Sequence, residues 1–197
     1  MRRAWRERLR RAGGALLLIL ATACTDPLSD LPPLPIGGEL ELATAGGGIL
    51  RLADHPDEVK LLFFGYASCP EICPTTLARL ARVQTALGER SSGLFSVFVS
   101  VDPERDSPER LADFVRFFGI RGAGATGAPE RIASLAKAFG ALYERVEGPT
   151  AAQYLVDHST FVYLLDQRNR VRRLVRSDDS VEQIAGWVRR LLDHPAG

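Results

Sequence analysis

Two cysteines, Cys69 and Cys73, stand four positions apart in the segment FFGYASCPEICP, where an apolar run gives way to prolines. Thiols at this spacing can form a disulfide, act as a redox couple or bind a soft metal ion. A disulfide that closes so short a loop removes little chain entropy, so it stabilises a fold only weakly. The spacing by itself leaves all three kinds of site open.

A metal site would need a further ligand, and the sequence contains three histidines. His55 lies in the polar segment ADHPDE and His194 in the C-terminal segment DHPAG, so both are predicted to be solvated. His158 differs, because the segment YLVDHSTFVYLLD places it in a turn that leads into a predicted strand. It is a candidate ligand, although a lone histidine in a turn can also be purely structural. Its neighbour Asp157 either orients the imidazole or only caps the turn.

Hydrophobic periodicity predicts the elements that must position these side chains. The segments GGELELA and GILRLA alternate like the two strands of an N-terminal β-hairpin, and VKLLFFGY and LFSVFVSV are continuous apolar runs typical of buried strands. A second hairpin is predicted from FVYLLD and RVRRLVR, near the end of the chain. Helical spacing and capping residues predict helices over residues 74–87, 108–118, 129–138 and 181–192.

Strands that alternate with helices and end in a hairpin and a helix predict an α/β protein with a thioredoxin-like fold, in which helices flank a central mixed sheet. In this order Cys69 follows a central strand and Cys73 starts the next helix, where free amide groups and the helix dipole stabilise a thiolate. Both thiols are therefore predicted to ionise easily. On a helical backbone their Cβ atoms would lie roughly 5–6 Å apart on one face, so that they could bind one metal ion together. The turn that contains His158 is expected beside them.

Length and composition indicate one globular domain. The chain has 197 residues, of which 46% are hydrophobic and 25% charged, which is enough for one core and too few for two ordinary domains. The domain is predicted over residues 36–192, followed by a short tail over 193–197. Without residues 1–23, which contain six arginines and one glutamate, the formal net charge changes from +1 to −4. No basic excess remains, so nucleic-acid binding is not expected.

Residues 1–23 are predicted to be a signal peptide or a membrane anchor. An arginine-rich stretch precedes an apolar stretch that is about as long as the apolar region of a signal peptide, and shorter than the roughly 20 residues of a spanning helix. The small residues before Cys24 resemble a bacterial lipoprotein box, so we expect Cys24 to be lipidated; the alternative is an uncleaved membrane anchor. The proline-rich residues 24–35 are predicted to be an extended tether. Either anchor places the domain on the exported face of the membrane.

Three segments carry a resemblance to a known family. FFGYASCPEICP, SVDPERDSPERL and YLVDHSTFVYLLD occur in the order and at the separations of the Sco/SenC family of copper-binding assembly proteins, and the chain resembles that family over roughly residues 36–192. The resemblance implies a thioredoxin-like fold and one copper ion, Cu(I) or Cu(II), bound by Cys69, Cys73 and His158. Two thiolates suit Cu(I), and an added imidazole lets the same site hold Cu(II).

Other positions of the three segments match the family less completely. The family commonly has threonine, aspartate and valine where this chain has Ala67, Glu71 and Ile72, and these changes leave the implied ligands intact. Asp102 and Asp106 match the family pattern, but the start of a helix would be enough to explain Asp106.

The resemblance also implies a function. Family members deliver copper to the dinuclear copper site of cytochrome c oxidase, or reduce the cysteines of that site. The expected partners are therefore the copper-bearing oxidase subunit or another exported copper client, a protein that donates copper, and the membrane through the N-terminal anchor. The chain is thus interpreted as a metallochaperone rather than an enzyme.

Two other classes of protein stay open. A membrane-tethered thiol-disulfide reductase or peroxidase could use the same fold, with Cys69 and Cys73 as its redox pair. Against this, a thioredoxin-type centre uses two intervening residues between its cysteines, a nearby tryptophan and a cis-proline, whereas Trp5 and Trp187 lie far from the cysteines and no proline stands beside His158. A copper-storing lipoprotein without a client is the third class.

Overall fold

The computed structural model describes residues 26–148, 150 and 153–195. The strands, in chain order, are β1 (Glu41–Ala43), β2 (Ile49–Arg51), β3 (Val59–Gly65), β4 (Leu94–Ser100), β5 (Gly122–Ala125), β6 (Tyr143–Val146), β7 (Leu155–His158), β8 (Val162–Leu165) and β9 (Val171–Val175). The helices are α1 (Ile72–Leu87), α2 (Pro108–Phe117), α3 (Pro129–Phe139) and α4 (Val181–Asp193).

The centre of the molecule is a five-stranded mixed sheet in the order β5-β4-β3-β8-β9. Strand β3 runs parallel to β4 and antiparallel to β8, so that Phe63 pairs with Phe98 on one side and with Val162 on the other. Both β3 and β4 are buried along their whole length, because helices and loops cover both faces of the sheet. Their continuous apolar sequence is the consequence of that burial. The predicted thioredoxin-like α/β fold is confirmed.

Local sequence signals set the starts of the helices. The hydroxyl oxygen of Ser107 accepts a hydrogen bond from the backbone N–H of Arg110 and caps α2, and Ser180 and Gln183 form a capping box at the start of α4. Helix α1 begins at Ile72, two residues before the predicted start, so Cys73 lies within its first turn. The predicted N-terminal hairpin is present as β1 and β2.

Three short strands were not predicted from the sequence. Strand β5 has the sequence GAGA and pairs with β4, where a Cβ atom on Gly122 would lie 2.0 Å from the carbonyl oxygen of Ser96 and one on Gly124 would lie 2.7 Å from Leu111. Glycine is therefore required for this close approach, although it weakens the local preference for a strand. Strands β6 and β7 form a separate hairpin in which Tyr143 pairs with His158.

The segment before Ile36 packs on the domain, in contrast to the predicted extended tether. Leu28 and Leu31 are buried in the core, and the N–H of Leu34 donates to the carbonyl oxygen of Val171 at 2.7 Å. The Arg172 side chain donates to the carbonyl oxygen of Leu31. The packed part of the chain thus begins earlier than the predicted boundary, because leucines spaced along a proline-rich segment find apolar partners beside β9.

The predicted targeting segment (1–23) and Cys24 lie outside the described residues. Within the ranges that the structure does describe, no helix combines the length and the apolar composition needed to cross a membrane.

Candidate metal centre

Three elements bring the two cysteines and the histidine together. Cys69 is half-buried in the loop between β3 and α1, where its N–H donates to the carbonyl oxygen of Tyr66 at 3.2 Å. Cys73 is fully buried in the first turn of α1, and His158 is the last residue of β7. The two Sγ atoms and a ring nitrogen of His158 all lie within 4.8 Å of one another, and both cysteines are free thiols. We refer to these three residues as the Cys–Cys–His group.

The orientation of the imidazole leaves one nitrogen free to act as a ligand. Nδ1 of His158 lies 3.0 Å from the carbonyl oxygen of Ser159, which can only accept, so Nδ1 carries the proton. Nε2 then has the lone pair and lies 3.5 Å from Sγ of Cys73. The rings of Phe63 and Tyr66 meet the imidazole edge to face, at centroid distances of 5.7 and 5.9 Å, and restrict its rotation.

Gly65, the last residue of β3, makes room for Cys73. A Cβ atom at this position would lie 2.5 Å from Sγ of Cys73 and 2.9 Å from the ring of Phe98. Any side chain here would displace the buried thiol. Sequence reasoning missed this residue, since a glycine at the end of a strand has many local explanations.

The two thiols have opposite tendencies to ionise. Burial raises the pKa of the Cys69 thiol, but hydrogen bonds from backbone N–H groups, including those of Cys73 and Glu71, outweigh it and the net pKa is lowered. Burial raises the pKa of the Cys73 thiol far above its ordinary range, and a backbone hydrogen bond from Tyr66 offsets only part of that rise. The prediction that both thiols ionise easily is therefore wrong for Cys73, because the helix start that should favour its thiolate faces the core.

Burial also lowers the pKa of His158, and the Ser159 carbonyl and the Asp157 carboxylate offset this only in part. The imidazole is therefore neutral at neutral pH and available as a ligand. Asp157 itself is exposed and forms no hydrogen bond with the imidazole in the described part of the chain. The imidazole is oriented by the hydrogen bond that its Nδ1–H donates to the Ser159 carbonyl oxygen, and Asp157 acts on the histidine through its charge.

The other two histidines do not join the group. His55 is partly buried, stacks on Phe95 at a centroid distance of 3.8 Å and lies 2.7 Å from a carboxylate oxygen of Glu58. The prediction that it is solvated was wrong, since the loop folds back on the start of β4. His194 is exposed, as predicted. Among the described residues, the Cys–Cys–His group is the one cluster of three or more histidine, cysteine, aspartate or glutamate side chains that could hold a metal ion.

The donor set determines which ion the group suits. Two thiolates and an imidazole nitrogen are soft and borderline ligands, which fit copper better than they fit hard cations such as magnesium or calcium. Thiolates favour Cu(I), and the imidazole extends the range of the site to Cu(II). The group therefore fits copper.

Comparisons with known proteins agree with the fold and with copper as the ion. Protein SenC of Rhodobacter capsulatus is 35% identical over 158 residues, covering 80% of this chain and 71% of SenC. The crystal structure of Arabidopsis thaliana ScoI with copper bound has a TM-score of 0.73 and 31% identity, covering 80% of this chain and 99% of ScoI. A SCO1/SenC family lipoprotein from Bacillus anthracis has a TM-score of 0.70 and 27% identity, covering 81% and 96% of the two chains.

Residues 29–193 of the sequence also match the model of the SCO1/SenC family. This range begins within the packed N-terminal segment and ends at the last residue of α4, so it includes every described strand and helix. The protein therefore belongs to the SCO1/SenC family of copper-binding proteins.

Proposed function

We propose that this protein is a copper chaperone that carries one copper ion on Sγ of Cys69, Sγ of Cys73 and Nε2 of His158. The observation that carries the proposal is the convergence of these three donors within 4.8 Å, although His158 lies 85 residues after Cys73 in the sequence. The copper-bound Arabidopsis relative supports the choice of ion.

Differences in exposure suggest how copper would leave the site. Cys69 and His158 are partly exposed, whereas Cys73 is fully buried behind them. An incoming thiol or imidazole of a client can replace Cys69 or His158 first, and Cys73 is then the last ligand to be released. The family resemblance indicates the client: the copper-bearing subunit of cytochrome c oxidase, or another exported copper protein. A separate protein would supply the copper.

The proposed location is the exported face of a membrane, with residues 1–23 as signal peptide or anchor and Cys24 as the lipidation site. The lipoprotein relative from Bacillus anthracis supports this arrangement. If it is correct, mature protein starts at Cys24 and partitions with membranes, and Cys24→Ser blocks processing without changing copper binding. Mass spectrometry that finds residues 1–23 on the mature chain would contradict the lipid anchor.

A metal titration tests the chaperone function. Reduced protein that begins at Asp26, and so keeps every described contact, should bind one copper ion per chain. Protein oxidised to the Cys69–Cys73 disulfide should bind none tightly until it is reduced, because the disulfide consumes both thiolates. His158→Ala should weaken Cu(II) binding more than Cu(I) binding, since two thiolates can hold the monovalent ion nearly alone. Equal copper binding by the oxidised and reduced forms would exclude the cysteines as ligands.

A second candidate function is reduction of a client disulfide, and the unequal thiols favour it. The Cys69 thiolate would attack a client disulfide and form a mixed disulfide with one client sulfur, releasing the other as a thiolate. Cys73, once deprotonated, would then attack Cys69, which gives a Cys69–Cys73 disulfide and a fully reduced client. Stoichiometric reduction of an oxidised client domain by metal-free protein would support this function, and copper transfer to a reduced client domain would support the first.

A further inference from the structure

The segment between β4 and α2 contains Asp106, a buried carboxylate that the proposed copper chemistry does not use. Asp106 is 1% exposed. Its Oδ2 accepts two hydrogen bonds, from the hydroxyl of Ser100 at 2.6 Å and from the backbone N–H of Ala67 at 2.9 Å. Its Oδ1 lies 3.3 Å from Nε of Arg110. One side chain thus joins the end of β4, the first turn of α2 and the loop that leads to Cys69.

The start of α2 does not account for this arrangement. Ser107 supplies the helix cap, because its own hydroxyl oxygen accepts from the backbone N–H of Arg110. The carboxylate of Asp106 instead accepts a hydrogen bond from the backbone N–H of Ala67, which lies 39 residues earlier in the chain. A residue needed only to begin the helix would have no reason to be buried against the cysteine loop.

A second contact from α2 reaches the next residue of the same loop. The guanidinium of Arg110 donates to the hydroxyl oxygen of Ser68 at 3.0 Å. Ala67 and Ser68, the two residues directly before Cys69, are therefore both held from the same helix start. The loop has no regular hydrogen-bonded structure there, so these contacts set its path, together with the turn in which Cys69 donates to Tyr66.

We propose that Asp106 is a positioning residue for the Cys–Cys–His group: by holding Ala67 against β4 and α2, it fixes where Cys69 lies relative to Cys73. Strand β4 and helix α2 are rigid supports, whereas the loop would otherwise sample several paths. Cys73 and His158 are held by a helix and a hairpin of their own. The backbone of Cys69 lies in the loop, and apart from the N–H groups at the start of α1 that hydrogen-bond its thiol, its position depends on that loop, so loss of Asp106 affects this donor most. The inference rests on the proposed copper site.

The test compares Asp106→Ala, Asp106→Asn and Ser107→Ala in the full chain. Asp106→Ala leaves the N–H of Ala67 without its acceptor, and copper affinity should fall by roughly tenfold to a hundredfold, as for other residues that orient metal ligands. The thiolate-to-Cu(II) absorption band should shift in the same variant. Asp106→Asn should recover most of both properties, because the amide oxygen can accept from Ala67. Ser107→Ala removes the cap of the same helix and should lower the melting temperature without moving the band.

A metal-free measurement separates this inference from the proposed function. The equilibrium between the thiol pair and glutathione disulfide reports how well Cys69 and Cys73 are held together, and Asp106→Ala should lower the equilibrium constant for forming their disulfide. If wild-type protein binds no copper, the chaperone function fails and this measurement alone decides the role of Asp106. Unchanged band, affinity and thiol equilibrium in Asp106→Ala would overturn the inference, as would equal changes in Ser107→Ala.

Arg110→Ala provides a second variant in case Asp106→Ala does not fold: it leaves the hydrogen bonds of Asp106 with Ser100 and Ala67 in place, but removes the ion pair between Arg110 and Asp106. Arg110 is exposed and its loss removes the contact with Ser68. The same band should shift in the same direction as in Asp106→Ala but by less, because Asp106 still accepts from the N–H of Ala67. If Asp106→Ala does not fold, an unshifted band and an unchanged thiol equilibrium in Arg110→Ala would overturn the proposal.

Discussion

At each end of the central sheet a buried aspartate holds a neighbouring segment of the chain, but the two segments have different roles. At the end where β3 stops, the buried carboxylate of Asp106 attaches the loop that carries Cys69. At the opposite end, the buried carboxylate of Asp166 accepts from the side chains of Arg170 and Arg172, and Arg172 also donates to the carbonyl oxygen of Leu31. One carboxylate thus holds the loop of a proposed metal ligand, and the other connects the β8–β9 turn to the N-terminal segment.

The two attached segments differ in whether their side chains are packed or remain available to bind a ligand. At the Asp166 end, the attached segment is packed: Leu28 and Leu31 join the core, and Asp30 pairs with Arg190. At the Asp106 end, the attached loop presents a half-exposed thiol with no covalent partner beside two other free donors. The first arrangement stabilises the fold, and the second keeps donor atoms available. Substitutions at the two ends should therefore separate stability from copper binding.

The largest effect is expected when a thiol is removed. A four-ligand zinc site contributes roughly 10–16 kcal/mol, or about 3 kcal/mol for each ligand if divided evenly, so loss of one ligand should weaken binding on the order of a hundredfold or more. Cys73→Ala and Cys69→Ala should each abolish tight copper binding, measured by competition with a chelator. His55→Ala, outside the group, is the control. Unchanged affinity in either cysteine variant would contradict the assignment of the ligands.

At the opposite end, Leu31→Ala should reduce stability without affecting the site. Leu31 is fully buried, and truncation of such a leucine typically lowers the free energy of unfolding by about 2–5 kcal/mol. The folded protein should still bind one copper ion with wild-type affinity. Denaturant unfolding measures the first quantity and copper competition the second. Leu142→Ala, at a side chain that is 78% exposed, should change neither by much. A stable Leu31→Ala variant would show that the N-terminal segment is a tether after all.

Gly65→Ala should disturb both properties, because the added methyl group would lie 2.5 Å from Sγ of Cys73. Inserting a methyl group into a packed core costs about 1–3 kcal/mol, and here the displaced group is a proposed ligand. We expect lower stability and an altered Cu(II) absorption spectrum. Gly186→Ala is the matched control, since nothing lies within 4 Å of its Cβ position in α4 and alanine favours a helix. A normal spectrum in Gly65→Ala would mean that Cys73 can move without loss of the site.

The smallest effect is a dependence of copper affinity on pH. The pKa of Cys73 is raised and that of Cys69 is lowered, so at neutral pH the metal-free protein holds a proton on Cys73 that copper must displace. The affinity should therefore rise with pH, by about tenfold for each pH unit while one proton is released. His158 releases none near neutral pH, because its pKa is lowered. The slope should steepen wherever the metal-free protein also carries a proton on Cys69 or on Nε2 of His158, because copper then displaces more than one proton. A flat profile between pH 6.5 and roughly 8 would contradict a protonated Cys73.

Local sequence signals were enough for most of the fold. Alternation of strands and helices identified the α/β class, the apolar runs identified β3 and β4, and Ser107 and Ser180 marked the starts of α2 and α4. These predictions succeeded because strand burial and helix capping depend mainly on residues within one element. Strand β5 was missed because its glycines do not favour a strand locally. They are required by neighbours from other elements, since β4 and α2 lie too close to leave room for a Cβ atom.

The sequence by itself determined which atoms could do chemistry: two thiols at positions i and i+4, and a histidine in a segment that resembles a copper-binding family. The tertiary structure decided how those atoms behave. Burial of Cys73 reverses the ionisation that its helix position predicts, Gly65 makes space for its sulfur, and Asp106 holds the loop of Cys69 from 39 residues away. Each of these effects depends on the neighbours that folding brings together, and burial and distant hydrogen bonds leave no periodic signal in a single sequence.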